Sequence, residues 1–444
     1  MTEKHFCKFF YDYKDVLARD YQDIKVLKGH FLDIELKNPG STSYIRQYPL
    51  PKADVDEIEG QIGELLQIGI IKENDDSTFN SPCFLVSKRS GEKRLIVDLR
   101  AVNSLIKIKK VKLKKIDELL QETMELKGNI FTTADLYRGY WQLRCRKNSH
   151  VTGFVSPQTG IPYRFEMAPM GLATSPAAFV QAMTNVFRDH NKFSFLKFYM
   201  DDLLVISKTV SEHATHLRTL CETLRANDLV LNPTKTNVGY SNVDFLGHNI
   251  SAEGIKIAES KIKAIKALKA PTTQKNLQRL MGLLNFFRKT LPNFARNTAH
   301  VRSLLRKQSK FCWTKECERE FQEIKQGLID NPTFQPLKTD RDVYLYIDAS
   351  KLGLASAMIQ YDDLGIPHVC SFFSQSTTDA QKRSCCPYQL EMAALALSLK
   401  AYESLLLHLP ITVFTDNSVV LNIRKYKPVN AREKGFLHIL HNSP

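Results

Sequence analysis

The sequence of 444 residues lacks the features that mark secreted and membrane proteins. Its nine cysteines are an odd number and no two form a Cys-x-x-Cys pair, which argues against a disulfide framework and against a zinc ribbon. No apolar run approaches the roughly 18 residues that a bilayer crossing needs, and residues 1–10 carry charges where a signal peptide has its apolar core. We therefore expect an intracellular, cytoplasmic protein with reduced thiols and no membrane partner.

Acidic residues are scarce relative to basic ones. There are 47 Asp and Glu against 62 Lys and Arg, which gives a formal net charge of +15 at pH 7. An excess of this size favours a polyanionic partner, most often nucleic acid, although solubility alone would also account for it. Apolar residues make up 43% of the chain, enough for sizeable cores, and the length corresponds to about three domains.

The residue pattern changes three times along the chain. Residues 1–44 form a mixed lead-in, and residues 45–255 alternate short apolar strands with helical stretches. Strand signals disappear over residues 256–335, which are rich in lysine and helical in pattern, and a β-rich segment begins after a Pro-containing linker at about residue 336. We therefore predict these four segments as a lead-in, two parts of a first domain, and a separate domain over residues 336–444.

Local patterns predict individual elements in the first half of the chain. Two β-rich runs, residues 83–88 and 94–99, flank a turn signal and predict a hairpin. A helix is expected from Ser211, with leucines on its apolar face. His213 and His216 of this helix lie among polar residues, which predicts a solvated face and argues against metal ligation.

Adjacent acids between two apolar strands are the most informative local feature. Asp201 and Asp202 stand between such runs, and Asp135 ends another apolar β-run. Neighbouring carboxylates repel each other unless a cation neutralises them. Three carboxylates at the ends of adjacent strands can hold two Mg²⁺ about 4 Å apart, which is the arrangement that supports phosphoryl transfer. A solvated acidic turn is the alternative.

A second group of acids lies in the last segment of the chain. Asp348 and Asp416 each follow an apolar β-run, and Glu391 lies in the first turns of a predicted helix between them. Each of these acids taken alone is more often a helix cap or a surface charge.

The sequence around the first acids resembles a known family. The segment Tyr199-Met200-Asp201-Asp202 is similar to the catalytic box of reverse transcriptases, and other blocks typical of that family occur in the same order. These blocks are residues 94–100 with Asn103, residues 131–143, residues 168–172 with Ser175, Pro176 and Phe179, and residues 245–248. Together they resemble the reverse transcriptase and RNase H region of gypsy-group long-terminal-repeat retrotransposon polyproteins, over essentially the whole chain.

This resemblance implies roles for the residues of the polymerase site. Asp135, Asp201 and Asp202 would be the catalytic metal ligands of the palm, and Lys235 would protonate the leaving pyrophosphate. Several lysines could reach that position.

The resemblance also implies contacts with dNTP and primer. Arg94 would grip the triphosphate, Tyr140 would block a ribose 2′-hydroxyl, and Met170 replaces the Phe or Gln that is more usual at its position in a dNTP contact. A solvated strand-face cation and a core tyrosine are the alternatives for Arg94 and Tyr140. The primer-holding hairpin would comprise Phe245, Leu246, Gly247 and His248.

The last segment resembles the RNase H fold. Asp348, Glu391 and Asp416 would be its catalytic ligands for two Mg²⁺ that activate water on the RNA strand of a hybrid. The family pattern places a fourth acid in a closing helix, and the sequence ends at Pro444 before that helix is complete. We therefore expect a C-terminally truncated RNase H-like domain, cut from a longer polyprotein, whose nuclease activity is left open.

Two basic stretches are further candidates for contact with nucleic acid. Six lysines crowd residues 107–115, which predicts either a track for the template backbone or a solvated strand edge. The basic helices of residues 258–335 resemble the thumb and connection, and a solvated helix face is the alternative.

The predicted fold is an α+β polymerase shaped like a right hand, with fingers and palm over residues 45–255 and thumb and connection over residues 256–335, followed by an α/β RNase H-like domain. The predicted function is RNA- and DNA-directed DNA polymerisation with two Mg²⁺, and the partners are RNA and DNA primer-template, RNA/DNA hybrid and dNTPs. A polymerase with an inactive RNase H domain and a domesticated, non-catalytic nucleic-acid-binding protein are the alternatives. Retrotransposon particles are an alternative location, and the sequence leaves the oligomeric state open.

Overall fold

A computed structural model describes residues 11–75, 78–87, 91, 93–109, 111, 113–306, 311–330, 334–335, 337–338, 340–406, 409–421, 423, 428 and 433–435. None of the helices in these ranges is both long and apolar enough to cross a membrane. The chain divides into two compact units. The first comprises residues 1–114 and 128–241, and the second comprises residues 115–127 and 242–444. The domain boundaries expected from the sequence pattern stay predictions.

The regular elements are numbered along the described part of the chain. The strands are β1 (Phe31–Asp33), β2 (Ser43–Tyr44), β3 (Ile71–Glu73), β4 (Phe79–Asn80), β5 (Cys83–Ser87), β6 (Lys93–Val97), β7 (Ile130–Asp135), β8 (Arg144–Lys147), β9 (Phe154–Val155), β10 (Pro162–Phe165), β11 (Leu196–Tyr199), β12 (Asp202–Ser207), β13 (Asn237–Tyr240), β14 (Asn242–Phe245), β15 (His248–Ser251), β16 (Gly254–Ile257), β17 (Val343–Ala349), β18 (Gly353–Tyr361), β19 (Pro367–Ser376) and β20 (Ile411–Phe414). The helices are α1 (Lys52–Gln67), α2 (Arg100–Leu105), α3 (Ile116–Glu125), α4 (Ser175–Val186), α5 (Val210–Ala226), α6 (Glu259–Lys266), α7 (Gln274–Phe286), α8 (Ala299–Ser303), α9 (Lys315–Asp330), α10 (Asp379–Ser384), α11 (Pro387–Leu406) and α12 (Ser418–Leu421).

A four-stranded antiparallel sheet lies at the centre of the first unit, with strand order β11-β12-β7-β13. The four consecutive residues 203–206 of β12 are all buried, so both faces of the sheet are covered. α5 packs against β12, and its start is fixed by a capping box in which Thr209 and Glu212 bond each other's backbone N–H groups. The sheet is therefore held rigidly in the core, and the ends of its strands are fixed in space.

Smaller sheets surround this core. The predicted hairpin is confirmed as the antiparallel pair β5-β6, and residue 88 of the predicted run lies outside the described residues. The remaining sheets of the unit are the parallel pair β1-β8, the parallel pair β2-β4 and the antiparallel sheet β3-β10-β9.

The prediction for the two histidines of α5 is wrong for His213. This side chain is fully buried, and its ring nitrogens lie 2.7 Å from Oγ1 of Thr132 and 2.8 Å from Oγ of Ser207. His216 bonds the same Ser207 hydroxyl at 2.8 Å and stacks on Phe195. The histidines therefore form a polar network within the core instead of a solvated face.

Two large hydrophobic clusters lie among the described residues of the second unit, beside a smaller one that includes Leu354 and Leu390. α6, α7, α8 and α9 pack around one of them, which includes Leu277, Leu280, Met281 and Leu284 on the buried face of α7. The other cluster lies between α11 and a four-stranded sheet with order β19-β18-β17-β20, in which β17 and β20 are parallel and the remaining pairs are antiparallel. Residues 441–444, whose position at the end of the sequence led to the expected truncation, lie outside the described residues.

Candidate active site

Three carboxylates meet at one end of the central sheet. β7 ends at Asp135 and β12 begins at Asp202, and the register pairs these two residues directly. Asp201 lies in the two-residue turn between β11 and β12, because Tyr199 pairs with Asp202. The other turn residue, Met200, has a φ of 58° in the left-handed region, where glycine is the usual residue. The turn therefore holds a strained non-glycine residue beside the acids, a feature that is common at functional sites.

Burial makes these carboxylates costly to ionise together. Burial raises the pKa of Asp201, and the charge of Asp135 adds to the rise. Burial together with the charges of Asp201 and Asp135 raises the pKa of Asp202 to about 6. A group of half-buried acids that repel one another is stabilised by a nearby cation, and Nζ of Lys235 donates a hydrogen bond to Oδ2 of Asp135.

The chemistry of these side chains fits a hard divalent cation such as Mg²⁺, which prefers carboxylate oxygens. No three His, Cys, Asp or Glu side chains within the described ranges are already arranged around one ion.

A cavity of about 430 Å³ brings most of the predicted polymerase residues together. It is lined by Arg94, Asp135, Leu136, Tyr137, Arg138, Gly139, Tyr140, Met170, Phe179, Asp201, Asn232 and Lys235. The lining includes all four predicted dNTP contacts and two of the three acids. Asp202, the first residue of β12, does not line the cavity.

Three of the predicted dNTP contacts are held in place by neighbouring side chains of the cavity. Nη1 of Arg94, on β6, lies 3.3 Å from Sδ of Met170. The ring of Tyr140 packs edge-on against Phe179, with the ring centroids 5.4 Å apart. Burial raises the pKa of the Tyr140 hydroxyl, and Asp201 contributes further, so this hydroxyl is a neutral donor at physiological pH.

Two residues of the cavity were missed by the sequence interpretation. Arg138 has a φ of 52°, its guanidinium lies 5.1 Å from the ring centroids of both Tyr21 and Trp141, and its Nη2 donates to Oη of Tyr21 at 2.6 Å. Gly139 packs closely, since a Cβ added there would lie 2.9 Å from Cζ of Phe179. A cation and a glycine three and four residues after Asp135 could have been recognised, whereas nothing in the lead-in sequence pointed to Tyr21.

The predicted primer-holding residues form a hairpin in the second unit. Phe245 pairs with His248, and the two turn residues Leu246 and Gly247 have φ values of 50° and 80°. Two positive φ values are typical of the turn that joins tightly paired strands. The ring of His248 lies 5.7 Å from that of Phe286, and burial lowers its pKa. Contact of this hairpin with a primer stays a prediction.

The three acids of the last segment also lie near one another. β17 and β20 are parallel and Tyr346 pairs with Phe414, so Asp348 and Asp416 each stand two residues beyond that pair, at the same edge of the sheet. Glu391 on α11 is buried and accepts a hydrogen bond from Oγ1 of Thr415 at 3.3 Å. Burial raises the pKa of Glu391, and the charges of Asp416 and Asp348 add to the rise. As in the first unit, acids held close together in a half-buried place have the chemistry of a Mg²⁺ site.

Comparison with known families identifies two domains in the chain. Residues 86–250 match the family model described as "Reverse transcriptase (RNA-dependent DNA polymerase)", and residues 313–413 match "RNase H-like domain found in reverse transcriptase". The chain therefore carries a reverse transcriptase domain, which is an RNA-directed DNA polymerase domain, followed by an RNase H-like domain.

Comparison with individual proteins places these domains in a retrotransposon context. The Transposon Tf2-3 and Tf2-7 polyproteins of Schizosaccharomyces pombe are 29% and 28% identical over 412 residues, which is 91% of this chain and 30% of each polyprotein. The chain thus spans about a third of the length of the curated relatives it matches. These matches confirm the resemblance to the reverse transcriptase and RNase H region of a retrotransposon polyprotein.

Solved structures confirm the fold. The foamy viral protease-reverse transcriptase dRH in complex with ds DNA matches with a TM-score of 0.87 and 22% identity, over 100% of this chain and 78% of that chain. The foamy viral protease-reverse transcriptase in complex with RNA/DNA hybrid matches with a TM-score of 0.84 and 21% identity, over 100% of this chain and 60% of that chain. The predicted combination of a right-hand polymerase with an RNase H-like domain is thereby confirmed.

Proposed function

We propose that the protein extends a primer on an RNA or DNA template, and that nucleotidyl transfer takes place at Asp135, Asp201 and Asp202. The observation that carries the proposal is the direct pairing of Asp202 with Asp135, with Asp201 in the adjoining turn at the wall of a cavity that also contains Arg94 and Lys235. A triphosphate needs cations for its outer phosphates, and its reacting phosphate must lie against the acids that hold the metal.

The three acids would hold two Mg²⁺. When bound, the metal would polarise the α-phosphate and lower the pKa of the primer 3′-hydroxyl. The protein's own contribution is to hold the acids at the ends of two hydrogen-bonded strands, so that little reorganisation is needed during the reaction.

The cations and aromatic rings of the cavity would select and orient the dNTP. Arg94 has a planar guanidinium suited to bidentate contact with phosphate, and Met170 supports it from one side. Tyr140, held by Phe179, would occupy the space that a ribose 2′-hydroxyl requires. Lys235 lies within reach of Asp135 and would donate a proton to the departing pyrophosphate.

Residues of the second unit would contact the primer and the RNA/DNA hybrid. The hairpin of residues 245–248 would hold the primer, and Asp348, Glu391 and Asp416 would hold two Mg²⁺ for cleavage of the RNA strand of a hybrid. The foamy viral complexes with double-stranded DNA and with RNA/DNA hybrid support nucleic-acid partners for this chain. The polyprotein relatives support action inside the cell, in retrotransposon particles or the cytoplasm.

Primer extension tests the polymerase proposal. The protein is incubated with a primed RNA template, Mg²⁺ and dNTPs, beside Asp202→Asn and the matched control Asp56→Asn on the exposed side of α1. We expect extension by the wild-type protein and by Asp56→Asn, and a loss of at least a hundredfold for Asp202→Asn. No extension by the wild-type protein would contradict the activity, and equal extension by Asp202→Asn would contradict the site.

Cleavage of a labelled RNA/DNA hybrid tests the second site independently. Asp416→Asn should abolish release of RNA fragments, whereas Asp363→Asn, whose side chain is 93% exposed, should leave it unchanged. Wild-type protein that extends primers without cutting the hybrid would identify a polymerase with an inactive RNase H domain.

A further inference from the structure

The first unit has a second cavity, of about 410 Å³, that shares no lining residue with the active-site cavity. It is open to solvent and predominantly polar. It is lined by Phe31, Lys72, Arg144, Cys145, Arg146, Ser149, Arg164 and Glu166. These residues lie in the same unit as the polymerase motifs, but none of them belongs to those motifs. Their arrangement therefore needs a separate explanation.

The cations of this cavity are held by paired strands. In the parallel pair β1-β8, Phe31 stands opposite Arg144. In the antiparallel pair β3-β10, Lys72 stands opposite Arg164. The backbones of the three cations Lys72, Arg144 and Arg164 are thus fixed by hydrogen-bonded strands before any ligand arrives, which lowers the entropy cost of binding.

The positive charge of the cavity exceeds its negative charge. Glu166 is shared by Lys72 and Arg164, at N–O distances of 3.0 and 3.2 Å. Arg146 forms a bidentate pair with Asp33, at 3.0 and 2.5 Å. Arg144 is exposed and forms no ion pair with any described residue, so at least one full cation faces the cavity without a carboxylate.

An aromatic ring lies beside these cations. Phe31 is 41% exposed, and the guanidinium of Arg146 lies 5.0 Å from its ring centroid. Exposed aromatic rings among cations are typical of surfaces that bind single-stranded nucleic acid, because the ring stacks on an unpaired base while the cations contact phosphates. A duplex offers no free base face for such stacking.

We propose that this cavity binds a single-stranded segment of nucleic acid, with Phe31 stacked on a base and Arg144 in contact with a phosphate. The proposal rests on the proposed function, since a polymerase that copies a template must hold an unpaired template strand. It goes beyond that function by assigning a second binding site outside the catalytic cavity.

Binding of a fluorescein-labelled 15-nucleotide single strand to the full chain, measured by anisotropy over a range of salt concentrations, tests the proposal. Arg144→Glu should weaken binding about tenfold and reduce the slope of log K against log salt by about one phosphate contact. Phe31→Leu keeps apolar bulk and removes the ring, and should weaken binding at least fivefold. Arg188→Glu, an exposed charge reversal elsewhere in the first unit, is the matched control and should have a clearly smaller effect.

Two further arms complete the experiment. Primer extension on a template with a single-nucleotide overhang should proceed normally in both variants, which separates failure of this proposal from failure of the polymerase proposal. A blunt duplex should bind the variants as it binds the wild-type protein. The proposal is overturned if Phe31→Leu binds the single strand normally, if Arg188→Glu has the same effect as Arg144→Glu, or if inorganic phosphate competes as well as the strand does.

Discussion

Gly139 lies between the carboxylate Asp135 and the aromatic Tyr140, and it sets how closely this part of the chain approaches the cavity wall. A Cβ added to Gly139 would lie 2.9 Å from Cζ of Phe179 and 3.3 Å from Cβ of Asp201. Phe179 is fully buried, so its ring has little room to move. The absence of a side chain is therefore a requirement of the site itself.

Substitution of Gly139 by Ala should lower the rate of single-nucleotide incorporation at least tenfold, because either the Phe179 ring or the turn at Asp201 must shift by several tenths of an ångström. Gly60→Ala is the matched control. Gly60 is exposed in α1 with nothing within 4 Å of its added Cβ, so Ala there should preserve the rate and stabilise the helix by about 0.5–1 kcal/mol. A wild-type rate for Gly139→Ala would contradict the close packing.

The elements around the central sheet are joined by polar groups that lie inside the core. Ser207 at the end of β12 bonds both His213 and His216 of α5, and Thr132 of β7 bonds the other ring nitrogen of His213. This network fixes α5 against the sheet whose strand ends carry the acids. Burial, with a smaller contribution from His216, lowers the pKa of His213 to about 4.

This shift predicts a loss of stability in mild acid. In the unfolded chain His213 takes up a proton near its ordinary pKa of about 6.5, whereas the folded protein resists protonation until about pH 4. The contribution of neutral His213 to the free energy of unfolding is therefore complete above pH 6.5. Below that pH it falls by about 1.4 kcal/mol per pH unit, and the total loss of about 3 kcal/mol is reached near pH 4.

Urea unfolding at pH 7.0 and 5.0 measures this effect. His213→Gln should be less stable than wild type at pH 7.0 and should lose less stability between the two pH values. His190→Gln, at an exposed position, should lose as much as wild type. Identical pH dependence of wild type and His213→Gln would show that this histidine is not responsible.

A buried acid joins two helices of the second unit. Glu320 on α9 is buried, and its carboxylate accepts hydrogen bonds from the backbone N–H groups of His300 and Val301 at 3.1 and 3.0 Å. These donors belong to the first turn of α8, where intrahelical partners are missing. The carboxylate therefore caps α8 from a different helix.

Glu320→Ala should reduce the free energy of unfolding by about 2–4 kcal/mol, because two donors would lose their partner in a buried place. Glu323→Ala removes an exposed acid of the same helix. The Glu323 side chain is 56% exposed and forms an ion pair with Arg319, so this substitution should change the free energy of unfolding by less than about 0.5 kcal/mol. Thermal unfolding of both variants provides the measurement. Equal midpoints would rule out the capping role.

At the scale of the whole molecule, the sequence predicted what lies close together along the chain. The acids at strand ends, the hairpin of β5 and β6, and the helix expected from Ser211 were predictable because hydrophobic periodicity and turn residues are local signals. Contacts between segments that are distant along the chain could not be predicted in this way. Arg138 donates a hydrogen bond to Tyr21 across 117 positions of sequence, and the buried His213 of α5 bonds Thr132 of β7, so neither contact follows from local pattern.

The charge distribution is also a property of the whole molecule. The net charge of +15 predicted a polyanionic partner, and the structure places part of this excess in two separate cavities of the first unit. One contains acids as well as cations, as a site for metal and phosphate requires, whereas the other contains cations beside an exposed ring. Sequence could not separate these two surfaces, because the residues of each cavity come together from segments that are distant along the chain.

The most direct test of the account is a comparison of Asp135→Asn, Asp202→Asn and the double variant in single-nucleotide incorporation under single-turnover conditions. Residues that act as one unit are strongly non-additive, so each single variant should lower the rate on the order of a thousandfold and the double variant should be little slower than either. Wild-type rates for either single variant, or single losses that multiply in the double variant, would contradict a shared carboxylate site at the paired ends of β7 and β12.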